Sequence, residues 1–460
     1  MKRTILLLAV ALVCALSPAR GQSVAPFRDG DRAVFLGNSI TDGGHFHSYI
    51  WLYYMTRFPE MNLRVVNAGI GGDTAENMYN RLDTDVFNHK PTVLTMTFGM
   101  NDTGYAEYNR DGAAEFGERK YGETCDNYTK VEERLKSLPA GVRIVQMGTS
   151  PYDETSGIEN KALRGKNAVM QRVVEFQRQS AERNGWEFLD LNAPMVEINR
   201  REQTKDPMFA IAGSDRIHPG NDGHMVMAYL YLKAQGFAGK EVADVEIDAA
   251  RASVTKAVNA NVTNVRRAGR DISFDYLAAS LPYPLDTLSR SRGTGPQSDI
   301  VNLVPFVDEM NREMLTVKGL RGNYELSIDG ERIGVWSGAE FAAGINLAVE
   351  TWTPQYRQAQ SVMHLNEYRW EIERTFRELA WIEYNFFRPR GMLGAFDRNS
   401  VAEIDKHLED GWIRMHKNRY ATYLNDAVRE ARAREMEMLI EQIYEINKPV
   451  TRSISLHKVD

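Results

Sequence analysis

The chain has 460 residues, enough for two or three domains, which excludes a small peptide or a single binding module. Lys+Arg 56 against Asp+Glu 62 gives a formal net charge of −6, so no cationic excess is available to neutralise a phosphate backbone, and nucleic acid is not an expected partner. Hydrophobic residues make up 43% of the chain, and no internal stretch approaches the ~20 apolar residues that a membrane span requires. We therefore expect a globular protein without stable membrane insertion.

The N-terminus has the pattern of a secretory signal. Lys2 and Arg3 precede an apolar run, residues 5–16, and small residues follow up to a predicted cleavage point after Gly21. Residues 1–21 are therefore predicted to be a signal peptide, and the mature protein is predicted to be exported, periplasmic or extracellular. Either ordinary or lipoprotein processing is open, although Val13 stands where a lipoprotein signal has a small residue before its cysteine.

Residues 22–240 alternate short β-branched runs with helical patterns. This alternation predicts an α/β domain with a parallel sheet and helices on both faces, in which ligands bind at the carboxyl ends of the strands. The five predicted strands are Arg32 to Leu36, Leu63 to Asn67, Thr92 to Phe98, Val142 to Met147 and Glu187 to Leu191.

The second half of the chain has a different pattern. Residues 241–350 are predicted to be a mixed or β accessory region, with a β-hairpin turning at Asp329-Gly330. Residues 351–460 are predicted to be a helical region. Apolar and aromatic residues recur there at helical spacing between Leu365 and Phe386, a pattern typical of core packing.

Polar and glycine-rich loops follow several of the predicted strands. Because the carboxyl ends of parallel strands meet at one edge of a sheet, these loops are expected to converge. They contain residues of the types that acyl transfer requires: Ser39 after the first strand, Gly72 after the second, Asn101 after the third, and Asp215 with His218 after the fifth.

Each of these residues has a chemical reason to be a candidate. Ser39 is a poor nucleophile without a base, and His218 can be that base, with Asp215 orienting its imidazole. The Ser39 and Gly72 N–H groups and the Asn101 amide can donate hydrogen bonds to an oxyanion. The predicted catalytic residues are thus Ser39, Asp215 and His218, and the predicted oxyanion hole is Ser39, Gly72 and Asn101.

These blocks resemble the SGNH hydrolases of the GDSL esterase and lipase family, which is named for the Ser, Gly, Asn and His matched here. The resemblance covers about residues 33–234 and implies a three-layer α/β/α flavodoxin-like fold. It also implies ester hydrolysis through an acyl-enzyme, without a cofactor or metal. One departure is visible: the family usually has Gly-Asp-Ser-Leu at the nucleophile, whereas Asn38 and Ile40 flank Ser39 in this chain.

Other residues near these loops have two interpretations. His45 and His47 follow the nucleophile loop and, with Tyr105, are predicted to line a substrate cleft. His45 and His47, together with His218, His224 and Asp42, also suggest a metal cluster, but a His-x-His pair alone does not match a known metal-site spacing. We therefore expect no metal.

The predicted function is a secreted serine esterase. By analogy with exported members of the family, its substrate is expected to be an acylated glycan, from which it removes acetyl groups, or another small ester. The alternatives are a lipase or lysophospholipase-type esterase, and a catalytically silent glycan-binding or scaffold protein.

Overall fold

The structure of the protein is a computed structural model that describes residues 23–290 and 295–459. The predicted signal peptide lies outside the described residues. Among those that are described, no helix has the length and the apolar character needed to cross a membrane.

The first half of the chain contains a five-stranded parallel sheet. Its strand order is β2-β1-β3-β4-β5, so β2 lies at one edge. The strands are β1 (Arg32–Gly37), β2 (Arg64–Gly69), β3 (Val93–Met96), β4 (Arg143–Met147) and β5 (Glu187–Leu189). The helices of this part are α1 (Ser39–Asp42), α2 (Phe46–Arg57), α3 (Ala75–Arg81), α4 (Ala113–Lys136), α5 (Lys166–Asn184), α6 (Asn192–Gln203) and α7 (Asn221–Ala234).

Helices cover both faces of this sheet. Alternate residues of β1 show this: Phe35 packs in the core formed with α2 and α7, whereas Val34 and Leu36 pack in the core formed with α3 and α4. Side chains of consecutive strand residues point to opposite faces, so the two clusters are the two faces of one sheet. The predicted three-layer α/β/α fold is confirmed.

The accessory region is a β-sandwich. Its two sheets have the orders β13-β10-β6-β7 and β12-β11-β14-β9-β8, and both contribute buried side chains to one core, for example Val245 and Leu315 from the first sheet and Phe274 and Leu326 from the second. Its strands are β6 (Ala243–Asp248), β7 (Ser253–Val258), β8 (Ala260–Ala268), β9 (Asp271–Ala278), β10 (Glu313–Lys318), β11 (Asn323–Ile328), β12 (Glu331–Ser337), β13 (Ile345–Asn346) and β14 (Arg452–Val459), and the short helix α9 (Gly338–Ala343) packs on it. The short helix α8 (Phe306–Met310) packs instead in the core of the α/β domain that contains α2 and α7.

The end of the chain differs from the prediction of a helical region through residue 460. Strand β14 pairs antiparallel with both β9 and β11, so it lies inside the second sheet of the sandwich. Ile454 and Leu456 are fully buried in the sandwich core, and this burial is the physical reason for a strand. The accessory region is therefore built from two separate stretches of sequence.

Four helices lie between the two stretches: α10 (Pro354–Trp381), α11 (Arg398–Asp405), α12 (Gly411–Thr422) and α13 (Asp426–Ile446). Val362 and Met363 of α10 and Ile440 and Ile443 of α13 are buried in the same core as α2. The helical region thus packs directly against the α/β domain.

Helix α10 also covers the edge strand β2. The Asn67 N–H donates a hydrogen bond of 2.8 Å to Glu373 Oε1 on α10. An unpaired edge leaves backbone groups open to non-native pairing, and this contact satisfies one of them. Because β2 leads into the loop that contains Gly72, α10 lies beside the predicted site.

Candidate active site

The predicted nucleophile, base and acid form one hydrogen-bonded chain. Ser39 Oγ lies 2.7 Å from His218 Nε2, and His218 Nδ1 lies 2.6 Å from Asp215 Oδ2. The other carboxylate oxygen of Asp215 accepts the N–H groups of Ile217 and His218, each at 2.9 Å. The two ring nitrogens of His218 therefore face an acid on one side and a hydroxyl on the other, as nucleophilic catalysis requires.

The electrostatics of Asp215 suit this arrangement. Burial alone would raise the pKa of its carboxyl, but the hydrogen bonds from the His218 ring and backbone hold that pKa below its ordinary value. Asp215 is therefore ionised at neutral pH. A carboxylate beside Nδ1 keeps the proton on that nitrogen and leaves Nε2 free to accept the proton of Ser39.

Asn38 stands where the GDSL esterases and lipases, which the sequence resembles, usually have an aspartate before the nucleophile. Its side chain accepts the Ile40 N–H at 3.0 Å and caps the first turn of α1, which begins at Ser39. Asparagine and aspartate are equally good at this capping position. The departure from the family pattern thus keeps the local hydrogen bond without the charge.

The loop that holds Asp215 and His218 is anchored by Arg216. This residue has a positive φ of 69°, uncommon for a side chain with a Cβ, and it is buried. Its guanidinium donates to four backbone carbonyl groups, those of Asp153, Ser156, Ile158 and Asn160. One side chain therefore ties the acid–base loop to the segment after β4.

The predicted oxyanion donors lie on the loops after β1, β2 and β3. Gly72 has φ of +85°, which glycine adopts without strain. Asn101 Nδ2 donates to the Asp73 carbonyl at 2.9 Å, and Tyr105 donates its hydroxyl proton to Asn101 Oδ1 at 2.6 Å. These two bonds fix which way the Asn101 amide faces, so Tyr105 orients the predicted oxyanion donor.

The loop that carries Asn101 has further supports. Asp102 accepts the N–H groups of Ala75 and Gly99, at 2.7 and 2.8 Å, and so links the loops after β2 and β3. Buried Lys166, at the start of α5, donates to the Met100 carbonyl at 2.7 Å. The predicted donors are thus held on a cross-linked framework.

His45 and His47, which were predicted to line the cleft with Tyr105, are both buried. His45 stacks on Trp370 of α10 at 3.8 Å and pairs with Glu367 at 3.2 Å. His47 Nε2 bonds the Thr41 carbonyl at 3.1 Å, and burial lowers the pKa of His47 to about 4. Neither ring is open to a substrate, because α10 covers this side of α2.

The histidines near the nucleophile loop were also considered as a metal cluster. Across residues 23–290 and 295–459, no group of three or more His, Cys, Asp or Glu side chains is arranged to hold a metal ion. His224 stacks beside Phe46 at 6.1 Å, and burial lowers the pKa of its ring well below the ordinary value. His45, at the start of α2, His47 within α2 and His224 within α7 are therefore buried packing residues.

Helix α10 forms one wall of the site, which was not predicted from the sequence. The Trp381 Nε1–H donates to the Gly71 carbonyl at 3.1 Å, and the Arg377 Nε–H donates to the Gly69 carbonyl at 2.8 Å. A Cβ built on Gly71 would lie 3.8 Å from Trp381 and 4.0 Å from the Ser39 side chain. The Trp381 indole and the Ser39 side chain therefore flank the same small space.

Asp42, one helical turn after Ser39, is a half-buried residue whose carboxylate points inward. It accepts the Gly71 N–H, and its other oxygen has no hydrogen-bond partner among the described residues. Burial raises the pKa of Asp42 to about 6, although Arg377 and Arg374 act to lower it. The folded protein therefore holds a proton on this group more tightly than the unfolded chain, in which aspartate titrates near ~3.9.

This difference predicts a pH-dependent effect of Asp42→Asn. Between about pH 4 and 6 the folded state binds more protons, so the wild type loses stability as pH rises, and above pH 6 the full cost of the buried charge is present. We expect D42N to exceed the wild type in unfolding free energy by about 2 kcal/mol at pH 8, with the difference vanishing near pH 4. Urea unfolding at both pH values measures this. A D42N protein less stable than the wild type at pH 8 would contradict it.

Two family models match the chain. One describes the GDSL-like lipase/acylhydrolase family and matches residues 35–226, and the other describes the diltiazem deacetylase C-terminal helical domain and matches residues 360–448. The first match contains the hydrogen-bonded chain from Ser39 to Asp215. The second contains most of α10 and all of α11, α12 and α13.

The proteins similar to the chain include two curated proteins and a solved enzyme structure. It is 30% identical over 227 residues to the acetylxylan esterase of Geobacillus stearothermophilus, which covers 45% of this chain and 95% of the relative. It is 28% identical over 163 residues to an uncharacterized lipoprotein of Bacillus subtilis (strain 168), covering 34% of this chain and 60% of the relative. The solved structure, a gut microbial diltiazem-metabolizing enzyme, is 57% identical with a TM-score of 0.94, covering 95% of this chain and 100% of its own.

Proposed function

Because the chain belongs to the GDSL-like lipase/acylhydrolase family, a family of serine carboxylic ester hydrolases, we propose that it removes acetyl groups from esters through an acyl-enzyme on Ser39. The observation that carries the proposal is the hydrogen-bonded chain from Ser39 Oγ through His218 to Asp215, at 2.7 and 2.6 Å. Its support is geometric: each group lies at hydrogen-bond distance from the group with which it must exchange or share a proton.

The proposed reaction has two halves. His218 Nε2 takes the proton of Ser39 as Oγ attacks the acyl carbon, and Asp215 stabilises the imidazolium. The oxyanion is bound by the N–H groups of Ser39 and Gly72 and by the Asn101 amide. His218 then protonates the departing alcohol, and a water molecule activated by the same ring hydrolyses the acyl-enzyme.

The acyl group is proposed to be acetyl. One relative is named an acetylxylan esterase, and the model that matches residues 360–448 is named for a diltiazem deacetylase. Both names describe removal of the same small acyl group from very different alcohols. The two names agree on the acyl group and differ in the alcohol. They therefore support acetyl as the acyl group of this chain's substrate, and they do not support one alcohol over the other.

The alcohol is proposed to be a ring system that contacts α10 and α12. Trp412 is 54% exposed and stacks on Trp381 at 5.7 Å with an interplanar angle of 20°. An exposed indole face is suited to a sugar ring or an aromatic ring. The two candidates are therefore an acylated glycan, as expected by analogy with exported members of the family, and a compound such as diltiazem, which the similar solved enzyme metabolizes.

A series of esters tests the acyl preference. We expect kcat/KM for 4-nitrophenyl acetate to exceed that for the octanoate by at least about 10-fold, because a site built for acetyl has no room for a longer chain. A preference for octanoate would favour a lipase-type enzyme. No turnover of any ester, together with no labelling by a fluorophosphonate, would favour the silent binding protein.

A second comparison tests the alcohol. Acetylated xylo-oligosaccharide and diltiazem are given to the same enzyme preparation, and released acetate is measured for both. Turnover of the first with none of the second supports a glycan substrate, and the reverse result supports a drug-like aromatic substrate. Trp412→Ala is expected to raise KM for the preferred substrate and to leave 4-nitrophenyl acetate less affected.

The site of action is proposed to be outside the cytoplasm. The support is the signal pattern of residues 1–21 and the similarity to a protein named as a lipoprotein. N-terminal sequencing of the protein recovered from its producing cells tests this. A mature chain beginning at Gln22 is the expected result, and a chain that retains Met1 would contradict it.

A further inference from the structure

Two side chains of α10 hold the end of β2 and the loop that follows it. Arg377 donates to the Gly69 carbonyl and Trp381 to the Gly71 carbonyl, at 2.8 and 3.1 Å. Arg377 is in turn fixed by a bidentate ion pair with buried Asp85, at 2.8 and 2.9 Å. The backbone that leads to Gly72 is thus held from the helical region.

The bond from Trp381 acts on a particular peptide unit. The Gly71 carbonyl and the Gly72 N–H belong to the same planar peptide, and in a trans peptide these two groups point in opposite directions. The described residues contain no cis peptide bond. Because the indole binds the carbonyl, the Gly72 N–H points away from Trp381, and no described residue accepts a hydrogen bond from it.

We propose that Trp381 is a positioning residue for the oxyanion hole, whose indole N–H fixes and polarises the Gly71–Gly72 peptide so that the Gly72 N–H is directed at the acyl oxygen. This inference rests on the proposed ester hydrolysis at Ser39. It assigns to the helical region a part in catalysis, which acts through the Gly71 carbonyl.

The loop needs such a support because it contains two adjacent glycines. Glycine crosses between positive and negative φ more readily than other residues, so the peptide between Gly71 and Gly72 can rotate. A rotated peptide would present its carbonyl, rather than its N–H, to the developing negative charge. The indole bond stabilises the productive orientation, and donation to a carbonyl also strengthens the donor character of the N–H in the same peptide.

The indole itself is held in place. Trp381 is packed between the loop and α12, where it stacks on Trp412 and lies 5.4 Å from the His416 ring. Burial lowers the pKa of His416 to about 4, so this neighbour is a neutral ring at neutral pH. Removal of the indole N–H by substitution with phenylalanine therefore leaves an aromatic ring in an aromatic stack.

The test is Trp381→Phe with Trp370→Phe as the matched control. Trp370 lies on the same helix and donates its indole N–H to another glycine carbonyl, that of Gly44, at 3.2 Å. The Gly44 carbonyl is not in a peptide of the predicted oxyanion hole. We expect W381F to lower kcat for 4-nitrophenyl acetate by about 10-fold with KM nearly unchanged, and W370F to keep kcat within about twofold.

Two further measurements separate positioning from general stability. The rate of Ser39 labelling by a fluorophosphonate, which also places an oxygen in the oxyanion hole, should fall in W381F in parallel with kcat. Thermal unfolding should show both variants folded at the assay temperature. Equal kcat in W381F and the wild type, or equal losses in both variants, would overturn the inference while leaving the proposed esterase intact. Absence of turnover by the wild type would overturn both.

Discussion

Replacing Ser39 with alanine is expected to lower kcat/KM for an acetyl ester by at least about 10⁴-fold. The Oγ atom is the group that forms the acyl-enzyme, and no other hydroxyl is described within hydrogen-bond distance of His218. The residual rate would come from water activated by His218 and from the oxyanion donors, which remain in place. The fold should be unchanged, because within residues 23–290 and 295–459 the Ser39 side chain hydrogen-bonds only to His218.

The measurement is initial-rate hydrolysis of 4-nitrophenyl acetate, with fluorophosphonate labelling as the second readout. The wild type should be labelled and Ser39→Ala should not. Ser361→Ala is a suitable control, because Ser361 bonds its own helix at 3.2 Å and does not contact the site. An S39A protein that retains more than about one hundredth of the activity would show that Ser39 is not the nucleophile.

The α/β domain could be predicted because its determinants are local. Short β-branched runs between helical patterns identify strands, and the carboxyl ends of parallel strands must meet at one edge. This reasoning predicted that Ser39, Gly72, Asn101 and the Asp215–His218 pair would lie at one edge of the sheet. The structure places Ser39 and His218 in contact, although 179 residues separate them in sequence.

The contribution of α10 could not be predicted in the same way. Periodic apolar residues between Leu365 and Phe386 correctly indicate a helix, but periodicity does not reveal what the helix packs against. Trp381 meets Gly71 across 310 residues of sequence and Arg377 meets Gly69 across 308. The same helix buries His45. The prediction that placed this histidine in the cleft relied on its nearness to the nucleophile loop in sequence, and it was wrong because of this burial.

Strand β14 illustrates a related limit of local patterns. Only Ile454 and Leu456 alternate as buried residues in this strand, and its partners β9 and β11 lie far earlier in the chain. Short strands acquire their stability from cross-strand neighbours rather than from their own sequence. The prediction of a helical region over residues 351–460 therefore missed this strand.

Asp215→Asn is expected to lower kcat by about 10⁴-fold with little change in structure. Asp215 Oδ1 accepts two backbone N–H groups, and asparagine can keep both with its carbonyl oxygen. Its NH₂ group must then face His218 Nδ1 in place of the carboxylate oxygen. Nδ1 becomes an acceptor, the ring proton moves to Nε2, and Nε2 can no longer take the proton of Ser39. The imidazolium also loses its counter-charge.

The chain offers a matched control for this substitution. Asp271 bonds His457 Nδ1 at 2.7 Å and also accepts a backbone N–H, but this exposed pair lies in the β-sandwich. Asp271→Asn should therefore leave kcat within about twofold of the wild type, whereas D215N should lose nearly all activity. Both variants should have the same unfolding temperature. If D215N lost less than about 10-fold, His218 would hold its productive tautomer without the carboxylate, and the proposed role of Asp215 would have to be abandoned.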